Sequence, residues 1–196
     1  EIITIIGGVH PSFMYKEVLN NGCVDYVVRG EGEETLKELL LSLESGRDID
    51  NVKGVAYKKG HSFILTPNRP FIDNLDGLQT AWDIISWSDY RYFVIPNSRL
   101  GAVSTSRGCS HSCTFCSQQK FWNKIWRGRS PENVVKEIEY LTKTYGVDVF
   151  LFPDEYLAQD RQRWENLLDI LIEKDLGVYL LVETRAKDIL RDKDIL

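Results

Sequence analysis

Cys109-Ser-His-Ser-Cys113-Thr-Phe-Cys116 places three thiols within eight residues. Thiolates are soft ligands that hold iron–sulfur clusters or zinc. With the spacing C-x3-C-x2-C, all three must come from a single loop. A cubane cluster has four irons, so three protein thiolates leave one iron open to hold and activate a small molecule. The alternative is a structural zinc with His111 as fourth ligand. Zinc ligands are usually set as two separated pairs, and the sequence has no second pair. The remaining cysteine, Cys23, stands beside Val24 and reads as a small buried hydrophobe. Clustered rather than spread cysteines point to a metal in a reducing, cytoplasmic setting, not to a disulfide framework.

The rest of the chain has to position that loop. It has 196 residues and a formal net charge of −5, which excludes a globally basic nucleic-acid binder. Hydrophobic residues make up 43%, enough for a packed core and too many for a disordered chain. No apolar run approaches the roughly 20 residues of a membrane span. The opening Glu1-Ile-Ile-Thr-Ile-Ile lacks a signal peptide's basic start and long apolar stretch. Glu1 is not an initiator Met and the last residues read as helix, so the chain is expected to be a piece of a longer protein.

Three regions emerge. In residues 1–48, Ile2–Ile6 reads as a buried strand ending at Gly7-Gly8. Ser12 is placed to cap a helix that carries Met14, Val18 and Leu19. Val24–Val28 follows as a second strand, and Gly30-Glu-Gly-Glu33 leads into a helix with Leu36, Leu39, Leu40 and Leu43. This β-α-β-α alternation is the signature of a parallel sheet. Residues 49–99 read as a linker holding a small hairpin, Gly54–Tyr57 with Phe63–Leu65, turned at Lys59-Gly60. In residues 100–196, Ala102–Thr105 is a strand running into the cysteines. Ser130-Pro131-Glu132 is a helix start, Val147–Phe152 a strand stopped by Pro153, and Val178–Val182 a third strand. The fold class is therefore α/β, and the second half reads as the first part of a sheet or barrel. A complete eight-fold barrel takes about 200 to 250 residues, so a barrel here is partial. Sites in such architectures gather at strand C-terminal ends.

Cys109-x3-Cys113-x2-Cys116, with Phe115 just before the last thiol, resembles the cluster motif of the radical S-adenosylmethionine superfamily. The stretches Gly7-Gly-Val-His-Pro-Ser12 and Gly30-Glu-Gly-Glu33 are similar to the last strand-to-helix loops of a cobalamin-binding domain. Phe121–Pro131, Phe152-Pro-Asp-Glu155 and Glu183-Thr-Arg185 are similar to segments of the anaerobic magnesium-protoporphyrin monomethyl ester cyclase group. The resemblance implies part of a flavodoxin-like, Rossmann-like cobalamin unit followed by the first part of a radical (β/α) barrel. It implies that Cys109, Cys113 and Cys116 ligate a [4Fe–4S] cluster, whose fourth iron is chelated by S-adenosylmethionine. That ligand is then cleaved to a 5′-deoxyadenosyl radical. It further implies Phe115 near the adenine, Asp154 and Glu155 toward the ammonium, and Glu183 and Arg185 at the next strand end, with Arg185 suited to the carboxylate. Gly7, Gly8, His10, Gly30, Glu31 and Gly32 fall to cobalamin. Implied partners are a small-molecule substrate, a tetrapyrrole in the cyclase reading, and an electron donor such as ferredoxin or flavodoxin.

Each residue also has a plainer reading. Asp154-Glu155 reads equally as a helix cap, Glu183 and Arg185 as a surface pair, and His10 as a turn residue. Lys120–Arg129 interleaves four cations with Phe121, Trp122 and Trp126. That pattern suits a solvated loop or a lid over an anionic substrate better than a nucleic-acid site. The Asp-x-His-x-x-Gly segment usual in cobalamin domains of this family is not in the sequence. The glycine-rich turn usual at the second strand is replaced by Phe152-Pro-Asp-Glu155. Besides the cyclase, two readings stay open: a cobalamin-dependent radical methyltransferase, and a zinc-stabilised α/β binding module that is not an enzyme. A transfer-RNA methylthiotransferase would need three further cysteines, and only Cys23 remains.

Overall fold

The computed structural model describes residues 2–196. Residues up to Ile72 form one compact unit and Asp73–Leu196 a second.

In the first unit, β1 (Ile5–Gly7) lies parallel to β2 (Tyr26–Val28), with Ile5 opposite Tyr26 and Gly7 opposite Val28. Helix α1 (Val9–Asn20) connects them, and α2 (Glu33–Ser45) follows β2. The hairpin β3 (Val55–Lys59) and β4 (Ser62–Leu65) then adds antiparallel to β2, completing a sheet in the order β1-β2-β3-β4. The hairpin expected inside a linker is thus part of this sheet. Val55 and Ala56 are fully buried by that pairing. β1, expected as a buried strand, is instead the sheet's outer strand. Ile2 and Ile3 precede it and are exposed, Ile2 to 91%. Leu39 is the buried residue of the α2 stripe, while Leu36 and Leu40 face outward. Cys23 is exposed in the turn between α1 and β2, which corrects its reading as a buried hydrophobe. Neighbouring apolar residues do not bury a side chain that sits on a turn.

The second unit is built on a parallel sheet in the order β5-β8-β9. Its strand β5 (Leu100–Ala102) runs toward the cysteine loop. β6 (Ser106–Gly108) and β7 (Trp126–Gly128) form an antiparallel ribbon whose rungs join Ser106 to Gly128 and Gly108 to Trp126. The short helix α3 (Gln118–Phe121) lies between the two ribbon strands. Helix α4 (Pro131–Tyr145) begins as expected: the Ser130 hydroxyl accepts a hydrogen bond from Asn133 N at 3.2 Å. Gly146 closes α4 in the left-handed conformation. β8 (Val149–Phe152), α5 (Arg161–Lys174), β9 (Tyr179–Val182) and α6 (Ala186–Arg191) complete the chain.

The β-α-β-α-β order puts α4 and α5 on one face of the sheet. Val103, Val134, Ile138, Leu141, Phe150, Phe152, Trp164 and Leu167 form one core between these layers. Gly101 on β5 allows close packing there, since a Cβ would come within 3.0 Å of Val147 Cγ1 and 3.5 Å of the Phe150 ring. Because the three strands are parallel, the segments that follow β5, β8 and β9 emerge at one edge of the sheet.

Candidate iron–sulfur and cobalamin sites

The ribbon β6–β7 is the stem of the cysteine loop. Gly108 immediately precedes Cys109 and has φ +91°, a left-handed conformation that glycine tolerates. A Cβ there would overlap the Ile125 carbonyl oxygen and come within 3.3 Å of Trp122 Cβ. Within the loop, Cys116 N donates to the Cys113 carbonyl at 3.1 Å, and Gln119 Nε2 donates to the same oxygen at 2.5 Å. All three thiols are free; Cys113 is exposed, and Cys109 and Cys116 are half-buried.

Burial pushes the Cys109 thiol above its ordinary pKa. The His111 amide hydrogen bond opposes that shift, the nearby Cys113 and Cys116 add to it, and Arg185 opposes it. The sulfurs therefore lie within electrostatic reach of one another and of a guanidinium. Among the described residues, no three His, Cys, Asp or Glu side chains are gathered around a point that could hold a single ion. His111 Nε2 is hydrogen-bonded by the Arg185 guanidinium. The His111 ring packs on Tyr156 at 4.7 Å between centroids. The donor set fits a cluster of the kind three thiolates hold.

Phe115 projects from the loop with 92% exposure, an open aromatic face at the strand edge. Glu183 and Arg185 follow β9 and are exposed, with Arg185 turned to His111 in the cysteine loop.

The two acids after β8 make hydrogen bonds within the protein. Asp154 is 6% exposed. It accepts from Thr105 N and Thr105 Oγ1 at 3.1 Å and from Ser106 Oγ at 2.5 Å. Its acceptors are thus engaged inside the protein, where they fix the exit from β5. It does not cap α5 either, since Asp160 fills that position by accepting from Arg163 N at 3.1 Å. Glu155 accepts from Gly108 N at 2.9 Å and from Trp122 Nε1 at 2.8 Å.

Burial holds the Asp154 carboxyl above the usual carboxylate range, while the Ser106 and Thr105 donors pull it back. The folded state then binds that proton more tightly than the unfolded chain does. Asp154's contribution to stability is full below the unfolded carboxylate pKa, near 4, and is lost as pH rises through the higher folded value. Asp154→Asn is expected to remove this slope. Urea midpoints of the unaltered protein measured from pH 4 to pH 7 will fall relative to those of the variant; parallel pH profiles would contradict the assignment.

Lys120–Arg129, expected as a solvated loop or lid, is instead folded into α3 and β7. Trp122 is buried, and Trp126 Nε1 donates to the Tyr156 carbonyl at 2.9 Å. Arg129 pairs with Glu137 at 2.6 Å and donates to the Ser104 carbonyl at 2.8 Å. Arg163 on α5 donates to the Arg129 and Thr105 carbonyls at 2.7 and 2.5 Å, holding the ribbon from behind. Apart from Glu137, which is 8 residues from Arg129, these partners lie 25 to 58 residues apart in sequence, beyond the reach of local pattern.

In the first unit, Gly7 ends β1, Gly8 precedes α1, and Gly30 and Gly32 lie between β2 and α2. A Cβ at Gly8 or Gly30 would meet nothing within 4 Å, so both turns are open. His10 is exposed in the first turn of α1. Glu31 is buried and accepts from Ile72 N at 2.7 Å, so it braces the end of the unit instead of lining the turns. Ser12 lies inside α1 and is not its cap. Its hydroxyl donates to the Gly8 carbonyl at 2.7 Å and accepts from Gly30 N at 3.0 Å, linking the two glycine turns. Capping chemistry marks Ser12 in the sequence, but a partner 18 residues away is not legible locally. The open, cross-linked turns fit a large ligand laid across the strand ends.

Residues 103–192 match the Radical SAM superfamily, and residues 1–40 match the B12 binding domain. The chain thus carries a partial Radical SAM domain behind a B12-binding segment. It is 39% identical over its whole length to the anaerobic magnesium-protoporphyrin IX monomethyl ester cyclase of Rubrivivax gelatinosus, covering 36% of that protein. It is 31% identical to the cytidylyl-2-hydroxyethylphosphonate methyltransferase of Streptomyces wedmorensis, with 85% of this chain and 36% of that protein matched. The chain thus spans roughly a third of these curated relatives. Among solved structures, the cobalamin-dependent S-adenosylmethionine radical enzyme OxsB, with aqua-cobalamin and S-adenosylmethionine bound, aligns at TM-score 0.76 and 22% identity. That alignment covers 97% of this chain and 27% of OxsB. The radical S-adenosylmethionine methyltransferase TsrM from Kitasatospora setae aligns at TM-score 0.69 and 20% identity, covering 92% and 37%. These two likenesses establish the shared α/β architecture.

Proposed function

We propose that this chain is the cofactor-binding portion of a radical S-adenosylmethionine enzyme that works with cobalamin and closes a ring oxidatively on a tetrapyrrole. The observation that carries the reading is the trio of free thiols in one loop at the C-terminal edge of a parallel sheet, within the segment matching the Radical SAM superfamily. Cys109, Cys113 and Cys116 would hold a [4Fe–4S] cluster, which supplies the electron that cleaves S-adenosylmethionine to a 5′-deoxyadenosyl radical. Phe115 offers its exposed ring to the adenine. Arg185 presents a guanidinium suited to the carboxylate, and Glu183 a carboxylate suited to the ammonium. Gly7, Gly8, His10, Gly30 and Gly32 would receive cobalamin across the two turns tied by Ser12.

The cyclase assignment is supported by matches over 99 to 100% of this chain, and 32 to 39% of the relatives, to anaerobic cyclases of three organisms at 33 to 39% identity. A methyltransferase reading is supported by the 31% identity to the Streptomyces enzyme. The electron would come from a ferredoxin or flavodoxin in a reducing, cytoplasmic setting. Among the described residues, no helix is long and apolar enough to cross a membrane.

The test is anaerobic incubation of the reconstituted protein with S-adenosylmethionine, a low-potential reductant and cobalamin. Formation of 5′-deoxyadenosine is the expected outcome, and its absence from a fully iron-loaded sample would contradict the reading. With the tetrapyrrole ester added, an oxidised, ring-closed product supports the cyclase and a methylated product the methyltransferase.

A further inference from the structure

We propose that the segment after β8, residues 154–159, positions the cysteine loop, and that Glu155 is the residue tying the loop's two ends together. The proposal rests on the reading that this loop holds a cluster, and it assigns Glu155 a hold on the protein's own backbone and indole. The two oxygens of Glu155 are divided between the two sides of the loop. One accepts from Gly108 N, directly before Cys109, and the other accepts from Trp122 Nε1, six residues after Cys116. A carboxylate supplies two strong acceptors from one side chain, and hydrogen bonds to an ionised acceptor are stronger than neutral ones. Holding both ends removes much of the freedom that a loop of this length would otherwise keep.

The neighbouring residues act in the same direction. Gln159 Oε1 accepts from Ser110 N at 3.1 Å. The Tyr156 carbonyl accepts from Trp126 Nε1, and the Tyr156 ring packs on His111. Tyr156 is itself fixed by its hydroxyl donating to Asp188 Oδ1 at 3.0 Å. Residues 155, 156 and 159 therefore contact the loop or its stem at five positions: Gly108, Ser110, His111, Trp122 and Trp126.

The variants Glu155→Gln and Trp122→Phe separate this role from direct ligand contact. Glutamine keeps the shape of Glu155 but turns one acceptor into a donor. Phenylalanine keeps an aromatic ring at 122 and removes only the indole N–H. Hydrogen exchange on the metal-free protein should show the amides of Gly108 and residues 109–116 exchanging about tenfold faster in Glu155→Gln. Trp122→Phe should give a smaller increase at the same amides, with α4 amides unchanged in both variants as the control for folding. After reconstitution, both variants should show a broadened iron–sulfur electron paramagnetic resonance signal. Unchanged loop exchange in either variant would overturn the proposal, because a glutamate that only touches a bound ligand has no reason to protect the metal-free loop. If the unaltered protein took up no iron, the cluster reading would fail while the exchange result still decided the tether.

Discussion

Gly108→Ala is expected to cut the iron retained after anaerobic reconstitution at least about tenfold. Forcing a residue with a side chain into the left-handed region costs on the order of 1–3 kcal/mol, and each 1.4 kcal/mol is roughly a factor of ten in an equilibrium. The overlap of the new Cβ with the Ile125 carbonyl oxygen adds to that strain. The backbone of the ribbon cannot yield cheaply, because Gly108 pairs with Trp126 and its amide is held by Glu155. The stem must therefore open, and the first thiol moves away from the other two. Neither Gly108 nor Trp126 belongs to the core between the sheet and α4 and α5, so far-UV circular dichroism should be retained. Full iron content with an unaltered paramagnetic signal would show that the loop does not depend on its stem.

Phe150→Ala is expected to destabilise the second unit by about 3–5 kcal/mol, read from urea unfolding. Phe150 is fully buried on the central strand of the β5-β8-β9 sheet, in the core shared with α4 and α5. Truncation leaves a cavity that Gly101, already in close contact with this ring, cannot fill. A small domain has about 5–15 kcal/mol in total, so the variant should remain foldable in the cold and melt well below the unaltered protein. A loss under about 1 kcal/mol would mean that the side chain is not packed as described. The two substitutions have different signatures: Gly108→Ala removes iron from a stable scaffold, and Phe150→Ala weakens the scaffold under an intact loop.

What could be read from the sequence was chemistry carried by neighbours in the chain. Ser130-Pro131 announced α4 because capping and a first-turn proline act over three or four residues. Within Val147–Phe152, the unbroken apolar run Val149–Phe152 announces β8, because a strand buried on both faces is continuously apolar. The cysteine spacing gave the site's chemistry for the same reason. The ribbon β6–β7 was not legible, because three-residue strands containing Arg and Gly have no period to detect. It exists because Asp154, Glu155, Tyr156 and Arg163 reach back to it from far along the chain. The same distance hid the work of Asp154 and Glu155. Their place at a strand end was clear, but their partners at Thr105, Ser106, Gly108 and Trp122 were not. Ile2 and Ile3 show the reverse error, since apolar character specified a strand without specifying which of its faces the fold covers.

The most direct test of the central claim is electron paramagnetic resonance of the anaerobically reconstituted, reduced protein, recorded with and without S-adenosylmethionine and paired with metal analysis. The account predicts iron and sulfide in the ratio of a [4Fe–4S] cluster. It also predicts a signal that changes shape when S-adenosylmethionine is added, as expected for a ligand meeting the iron that no cysteine holds. One zinc per chain with no iron, or an iron signal indifferent to S-adenosylmethionine, would contradict it.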